Sequence, residues 1–327
     1  MRQIVLLLGF FLFVTYIITQ NQSIRLFVSA IKAGADPLAM GTNYWLTTSD
    51  NRQALIDLIQ SEAIKRKIAP INAKLDSVWK AIPAYNGLEV DIEQTLKLAE
   101  GKRASAPISY IMKETSPAIL LEDLGPHPIF KGNPQKPMAS IMINVAWGNE
   151  FLPSILDTLD KEHVHATFFF DGTWLSKNMD TAKFIQSKGH ELSNHAYSHK
   201  NMSQLSRENA MEEISKTQAY LKELGVTNHL FAPPSGDFDQ ETVQIASEMG
   251  MKTILWTLDT VDWTNPGAER IIQKISTRVE PGSLILMHPT RSSSEALPEM
   301  IRSIKRKGLI LATVSELISP KRVDVTH

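Results

Sequence analysis

From residue 138 onwards, short apolar runs of strand length alternate with longer segments that carry apolar residues at helical spacing. The apolar runs predict strands at residues 140–145, 166–170, 191–193, 253–257, 283–287 and 310–313, and one more that ends at Phe231. The segments between them predict helices at residues 150–162, 181–188, 207–224, 240–249, 269–279 and 296–307. Alternation of this kind indicates a parallel sheet with helices packed outside it. Seven such strands in about 180 residues predict an α/β fold, an incomplete (β/α) barrel.

The pattern before residue 137 is less regular. It predicts helices at residues 51–67 and 88–99 and strands at 71–79 and 108–113, with a turn at 83–87. These elements indicate a small α/β subdomain, followed by a Pro-rich linker at residues 125–137. We therefore expect four regions: a leader at 1–30, the small subdomain and linker at 31–136, the barrel at 137–318 and a tail at 319–327.

The N-terminus carries the longest apolar run of the chain. Arg2 precedes a nearly uninterrupted apolar stretch at residues 4–19, and the next charge is Arg25. As a helix this stretch would be roughly 24 Å long, slightly short of a hydrocarbon core of about 30 Å. It has the form of a secretory signal, with a weak cleavage site at residues 28–30. A cleaved signal peptide and an uncleaved membrane anchor both fit, the anchor better, and both predict a protein outside the cytoplasm.

Composition narrows the chemistry of any site. The chain has 327 residues, of which 43% are hydrophobic and 21% charged, and its formal net charge is −1. These values are ordinary for a globular protein and give no indication of nucleic-acid binding. The sequence contains no cysteine. Disulfides and thiolate metal sites are therefore excluded, and any metal must be held by histidine and carboxylate.

Two histidines, His195 and His199, are four residues apart. In a helix or a tight turn this spacing brings both rings to the same side, and imidazole nitrogens are preferred ligands of zinc. Taken alone, such a pair is more typical of ordinary surface or core histidines. His163, His165 and His190 lack a comparable context, and we expect them to be loop or surface residues.

Five short segments carry a stronger signal through their order: 144–145, 195–199, 232–236, 259–263 and 286–288. This order resembles the motifs of the polysaccharide deacetylase family, the NodB-homology proteins of carbohydrate esterase family 4. The resemblance covers roughly residues 137–318 and is nearest to sporulation-type deacetylase-like proteins of Gram-positive bacilli. It implies a NodB-type barrel and metal-dependent removal of acetyl groups from an N-acetylated glycan.

The resemblance also implies roles for single residues. It implies that His195 and His199 bind zinc or a similar divalent metal. It implies further that His288 is the catalytic acid and that Asp262 tunes it, because a neighbouring carboxylate favours the protonated imidazole. The ordinary alternatives are a helix-capping Asp262 and a structural His288. The residues expected to line the substrate groove are Trp263, Leu286 and Ser235.

Three positions depart from the family pattern. Asn144 lies where the resemblance implies the catalytic base, and an uncharged amide cannot accept a proton from water. Val145 lies at the third metal-ligand position and offers no lone pair, with Asn149 or Glu150 as nearby substitutes. Ala232 lies where an arginine would orient the base. Loss of a base alone costs about 10²–10⁴-fold in rate, so we expect weak metal binding and slow turnover.

Two functions remain open. The motif order and the retained histidines favour a weak or vestigial N-deacetylase acting on N-acetylglucosamine or N-acetylmuramic residues of cell-wall glycan. The three departures favour a membrane-tethered, glycan-binding pseudoenzyme without catalysis. Both readings imply cell-wall polysaccharide as the partner, contact with the membrane through the N-terminal segment and no nucleic acid.

Overall fold

The structure is a computed structural model that describes residues 49–100 and 107–323. The apolar N-terminal stretch, and with it the predicted leader at 1–30, lies outside the described residues. Within the described part of the chain, no helix has both the length and the apolar character needed to cross a membrane.

The secondary structure elements follow in chain order. The helices are α1 Ser49–Arg66, α2 Ile92–Glu100, α3 Leu152–Lys161, α4 Gly172–Leu175, α5 Met179–Ser187, α6 Arg207–Glu223, α7 Gln240–Glu248, α8 Ala268–Arg278, α9 Arg291–Arg306 and α10 Val314–Ile318. The strands are β1 Lys74–Asp76, β2 Lys80–Ile82, β3 Gly87–Val90, β4 Met112–Thr115, β5 Met138–Val145, β6 Thr167–Phe170, β7 Glu191–Asn194, β8 Leu230–Phe231, β9 Lys252–Thr253, β10 Leu258–Asp259, β11 Leu284–Met287 and β12 Ile310–Leu311. Short 3₁₀ turns occur at Leu121–Leu124, Met202–Gln204, Pro234–Gly236 and Asp262–Thr264.

The chain divides into two compact units, and the smaller contains residues 49–68 and 88–113 of the described positions. Its core is an apolar cluster of Ile59, Val90 and Leu96. The predicted helix at 88–99 begins only at Ile92, because Leu88 forms an antiparallel bridge with Ile68. A non-local backbone pairing has here overridden the local helical pattern.

The larger unit contains residues 69–87 and 114–323 of the described positions. Eight strands form one sheet in the order β10–β11–β5–β6–β7–β8–β9, with β12 paired to β5 as well, and all of these pairings are parallel. The two ends of this order, β9 and β10, are not paired to each other, so the sheet curls without closing. The predicted incomplete (β/α) barrel is confirmed.

Apolar side chains cover both faces of the central strand β5, whose eight residues are all buried. Ile141, Ile143 and Val145 belong to the cluster between the sheet and its outer helices. Met142 belongs to the inner cluster, together with Phe169 of β6 and other residues that face the barrel interior. Since side chains alternate along a strand, this register brings Asn144 to the inner face at the carboxyl end of β5.

Most predicted elements of the barrel unit lie within a few residues of their expected bounds, but some differ, and the short helices α4 and α10 were not predicted. The strand predicted at 253–257 is only Lys252–Thr253, and Leu258–Asp259 is an additional strand that the pattern did not predict. Helix α9 begins at Arg291 rather than at residue 296. Its first turn reads Arg-Ser-Ser-Ser and has no apolar periodicity, but Thr290 caps it by accepting a hydrogen bond from Ser293 N at 3.1 Å.

Candidate active site

A pocket of about 390 Å³ opens at the carboxyl ends of the parallel strands, where α/β folds place their chemistry. Its lining residues are Asn144, Ala146, Trp147, His195, His199, Ser235, Trp256, Asp259, Trp263, Leu286 and His288. Seven of the eight predicted site residues are in this set. The eighth, Asp262, is buried and hydrogen-bonded to His288. The structure thus brings together residues that are up to 144 positions apart in the chain, Asn144 and His288.

The two spaced histidines lie in a tight loop after β7 and not in a helix. Ala196 and His199 have positive φ angles of 59° and 54°, and the ring centroids of His195 and His199 are 5.2 Å apart. His195 is buried, and its Nδ1 contacts the carbonyl oxygen of Ala232 at 2.7 Å. This contact assigns the proton to Nδ1 and leaves the Nε2 lone pair free. Burial, with a smaller effect of His199, lowers the pKa of His195 to about 3, so the ring is neutral.

A buried carboxylate on α6 holds this loop in place. Glu213 accepts hydrogen bonds from the backbone N–H groups of Tyr197 at 3.1 Å and Ser198 at 2.7 Å, and from the Ser198 hydroxyl at 2.6 Å. Thr217, one turn further along the same helix, donates to the carbonyl oxygen of Ala196 at 2.6 Å. These contacts offset the cost of the left-handed residues and fix the direction of both imidazoles.

On one side of the pocket, three polar residues form a connected set, which we call the acid side: Asp262, His288 and Ser293. One carboxylate oxygen of Asp262 contacts His288 Nδ1 at 2.8 Å. The other accepts from His288 N at 2.6 Å and from the hydroxyl of Ser293. The carboxylate fixes the imidazole tautomer and leaves Nε2 as the free nitrogen of a ring that lines the pocket.

On the other side, three residues form what we call the base side: Asn144, Val145 and Ala232. The Oδ1 atom of Asn144 is buried and has no hydrogen-bond partner within the described residues. Val145 is fully buried in the cluster that faces the outer helices. Ala232 is fully buried in the inner cluster, where its methyl group lies among apolar side chains. The base side therefore offers no charged group to the pocket.

The structure provides only some of the ligands expected for the metal that the sequence resemblance implies. His195 offers a free Nε2 backed by a carbonyl contact on Nδ1, which is the arrangement of a metal-ligating histidine. The third ligand position is the buried hydrocarbon of Val145. Across residues 49–100 and 107–323, no group of three or more His, Cys, Asp or Glu is arranged to hold a metal ion. The residues present do not fit a catalytic metal with three protein ligands.

The substitute ligands considered from the sequence are engaged elsewhere. The amide of Asn149 accepts a hydrogen bond from Trp174 Nε1 at 2.5 Å and donates to Asn178 Oδ1 at 2.8 Å. Glu150 is exposed and does not line the pocket. Nothing in this loop replaces the missing carboxylate.

Aromatic side chains dominate the rim of the pocket. Trp263 is 63% exposed and Trp147 is 45% exposed. Trp256 packs under the turn at Pro234–Gly236, where Ser235 has a φ angle of 56°. A Cβ atom at Gly236 would lie 2.7 Å from the Trp256 ring, so this glycine is required for the close approach. Leu286 is buried in the inner cluster at the floor.

Sequence reasoning missed several residues of this site. Ser293, Glu213 and Trp147 act through contacts between distant segments, which no local pattern of the sequence indicates. His190 lies in a loop, as expected, but its ring is buried. Burial, with a smaller effect of His165, lowers the His190 pKa to about 4. His163 and His165 are exposed as expected.

Comparison with known proteins gives a consistent picture. The sequence model of the polysaccharide deacetylase family matches residues 131–254. The chain is 38% identical to protein YlxY of Bacillus subtilis over 315 residues, which cover 96% of each chain. It is 31% identical to a peptidoglycan-N-acetylglucosamine deacetylase of Bacillus cereus over 177 residues, 52% of this chain and 83% of the relative.

Among solved structures, the chain is similar to BA3943 of Bacillus anthracis, described as a pseudoenzyme of carbohydrate esterase family 4. The two share 42% sequence identity with a TM-score of 0.76, over 83% of this chain and 96% of that chain. A mutant of BA3943, 41% identical to this chain with a TM-score of 0.75, is described as having restored enzymatic activity and is matched over 82% of this chain and 99% of its own.

Proposed function

The chain belongs to the polysaccharide deacetylase family, carbohydrate esterase family 4, and from that premise we propose that it binds N-acetylated cell-wall glycan without deacetylating it efficiently. The groove and the acid side of a deacetylase are retained, and the base side is not. The protein would then act as a glycan-binding pseudoenzyme, for which N-acetylglucosamine or N-acetylmuramic residues are the expected ligands.

The observation that carries this proposal is the amide of Asn144. Hydrolysis of an acetamide requires a group that takes a proton from the attacking water. At the position that family resemblance assigns to this group, Asn144 presents an amide oxygen that is buried and unpartnered among the described residues. An amide has no useful basicity near neutral pH, so the residues present can orient a sugar but cannot activate water.

The relatives support the same proposal from a different direction. A chain with 42% identity is described as a pseudoenzyme, while more distant relatives are named peptidoglycan deacetylases. The description of a mutant with restored enzymatic activity indicates that, in that protein, catalysis can return after substitution. We infer that the present chain likewise retains a groove in which catalysis can return after substitution.

A weak deacetylase is the second candidate, because Asp262 and His288 remain paired. With Nδ1 held by the carboxylate at 2.8 Å, Nε2 of His288 is available to protonate a leaving amine. An acid without a base would still give slow turnover. This candidate differs from the first only in rate, so a rate measurement separates them.

The proposal is tested by calorimetric titration of the full chain with the N-acetylglucosamine tetramer and, as a matched ligand, the glucosamine tetramer that lacks acetyl groups. We expect heat of binding for the acetylated tetramer only. Trp79→Ala, which changes a tryptophan that does not line the pocket, is the control and should bind like the native chain. Absent binding of both tetramers by the native chain would reject a glycan-binding function, and equal binding of both would reject recognition of the acetyl groups.

We further propose that the protein is held outside the cytoplasm by its apolar N-terminal stretch at residues 4–19. Cell-wall glycan is found there, which agrees with the proposed ligand. Membrane fractionation of cells expressing the full chain, with protease added from outside, tests this point. Recovery in the cytosolic fraction would contradict it.

A further inference from the structure

Two tryptophans on the rim of the pocket expose large apolar faces to water. Trp263 is 63% exposed and Trp147 is 45% exposed, and both line the same pocket. Trp263 was expected there from the sequence, whereas Trp147 belongs to no predicted role. An exposed aromatic ring at the edge of a polar pocket is typical of a surface that a ligand covers.

The sheet order determines how the two rings are arranged. Trp147 follows β5, His288 follows β11 and Trp263 follows β10, and these strands are neighbours in the order β10–β11–β5. The loop of His288 therefore lies between the loops of the two tryptophans. With neighbouring strands about 4.8 Å apart, the two outer loops begin about 10 Å from each other.

Trp147 lies directly against the imidazole of this central residue. The ring centroids of Trp147 and His288 are 5.3 Å apart, and the ring planes are inclined by 35°. A ligand that covers the indole would therefore also lie beside His288. Trp147 thus adds an aromatic surface to the pocket near the end of β5. The base side offers no charged group in this region.

The loop that carries Trp147 is held in place by contacts of the two residues that follow it, Gly148 and Asn149. Gly148 has a φ angle of 84°, and a Cβ atom there would lie 1.9 Å from the carbonyl oxygen of Pro289. The next side chain, Asn149, contacts Trp174 Nε1 at 2.5 Å and Asn178 Oδ1 at 2.8 Å. The indole is thus supported before any ligand arrives, and little conformational entropy is lost on binding.

The loop that carries Trp263 is anchored in a comparable way. Val261 and Asn265 have positive φ angles of 56° and 54° on either side of the turn. The Thr264 hydroxyl donates to the carbonyl oxygen of Val261 at 2.8 Å, and the Ser292 hydroxyl donates to Asn265 Oδ1 at 2.9 Å. The two exposed indoles therefore lie on loops that are held in place by hydrogen bonds and close contacts, and both are preorganised for a ligand.

We propose that Trp147 and Trp263 are two stacking platforms that bind neighbouring hexosamine rings of one glycan chain, with His288 between them. The apolar C–H face of a pyranose ring packs on an indole face, while its hydroxyl and acetamido groups remain free for polar contacts. This inference rests on the proposed glycan-binding function for its ligand class. It adds that the ligand is an oligosaccharide and that Trp147 determines the affinity for the second ring.

The test compares binding of the N-acetylglucosamine monomer and tetramer by calorimetry, using the full chain and its Trp147→Ala, Trp147→Phe, Trp263→Ala and Trp79→Ala variants. Trp147→Ala should weaken tetramer binding about ten-fold or more and monomer binding less. Trp147→Phe should keep most of the tetramer affinity, because it retains a ring face. Trp79→Ala, outside the pocket, should match the native chain.

The outcomes separate this inference from the function on which it rests. If the native chain binds the tetramer and Trp147→Ala binds it equally well, the second platform is wrong and the glycan-binding function stands. Equal losses in Trp147→Ala and Trp147→Phe would assign the effect to a disturbed loop and would also overturn the platform. If the native chain binds neither ligand, both the platform and the glycan-binding function are wrong.

Discussion

On the acid side of the pocket, the carboxylate of Asp262 accepts hydrogen bonds from His288 N, His288 Nδ1 and the Ser293 hydroxyl. On the base side, the amide oxygen of Asn144 accepts none from any described residue. Both residues are buried, and both lie near the carboxyl ends of barrel strands, β10 and β5, with β11 between them. The acid side is therefore hydrogen-bonded to the surrounding protein, and the amide oxygen on the base side is not.

The difference shows why half of a catalytic site can persist without catalysis. Asp262 joins the backbone of the loop after β11 to the first turn of α9, so its removal would leave buried donors without an acceptor. Asp262 therefore has a structural role that does not depend on turnover. Asn144 has no comparable structural contacts to lose. Retained motif residues on the acid side are thus weak evidence for activity.

Restoring the base is expected to have the largest effect. Asn144→Asp places a carboxylate where the amide is now, and with zinc present it should raise acetate release from the N-acetylglucosamine tetramer by about 10²–10⁴-fold. Asn201→Asp, the same change at an exposed position outside the pocket, should have no effect. If Asn144→Asp with added zinc releases no more acetate than the native chain, a base at position 144 is not sufficient, and either the missing ligand at Val145 or the acid side also blocks turnover.

Restoring the third ligand position probes the base side through stability. Val145→Asp places a carboxylate in a fully buried apolar cluster, which should lower the free energy of unfolding by about 3–5 kcal/mol without metal. Zinc should recover part of this loss by drawing the carboxylate, on the last residue of β5, out of the apolar cluster to complete a three-ligand set with His195 and His199.

The control for this effect is Ile143→Asp, two residues earlier on the same strand and equally buried. It should be destabilised to a similar extent and should gain nothing from zinc. Thermal unfolding with and without zinc measures both variants. Equal zinc effects on the two would mean that a carboxylate at position 145 does not reach a metal held by the histidines.

The contact between the loop of Trp147 and the loop of His288 can be broken with one methyl group. Gly148→Ala would bring a Cβ atom within 1.9 Å of the Pro289 carbonyl oxygen at a φ angle that disfavours alanine, and should cost about 2–4 kcal/mol. Gly225 has a φ angle of 76° with nothing within 4 Å of its Cβ position. Gly225→Ala should therefore cost only about 1 kcal/mol. Denaturant unfolding compares them, and equal losses would remove the steric argument.

The smallest effect is expected for the hydroxyl that completes the acid side. Ser293→Ala removes one donor from Asp262 and leaves two, which should lower the free energy of unfolding by about 1–2 kcal/mol. Ser294→Ala on the same helical turn is the matched control and should change stability by less. A loss no larger for Ser293→Ala than for Ser294→Ala would mean that this contact is not structural.

The sequence predicted the barrel because apolar strands and amphipathic helices alternate clearly after residue 138. It also predicted the histidine pair and Asp262, since both lie in segments with a recognisable order. It did not predict the two-residue strand Leu258–Asp259, because so short a strand leaves no periodicity. Nor did it predict the contact of Ser293 with Asp262, which joins residues 31 positions apart.

The local pattern was also insufficient where burial decides the outcome. His190 follows a glycine in a polar context and lies in a loop, as predicted, but the sequence did not indicate that its ring is buried, 5.1 Å from the Phe168 ring. Trp147 shows the opposite case, since an aromatic residue after an apolar strand is ordinarily buried and this one is 45% exposed. Both depend on which segments meet in the folded chain.

The central claim is that the native groove binds glycan and does not turn it over efficiently. The most direct test saturates the native full chain with the N-acetylglucosamine tetramer in the presence of zinc and follows acetate by proton NMR. We predict binding of the tetramer with no acetate beyond that of a protein-free control. Acetate released through many turnovers by the native chain would contradict the account, because it would mean that the pocket activates water without a carboxylate at position 144.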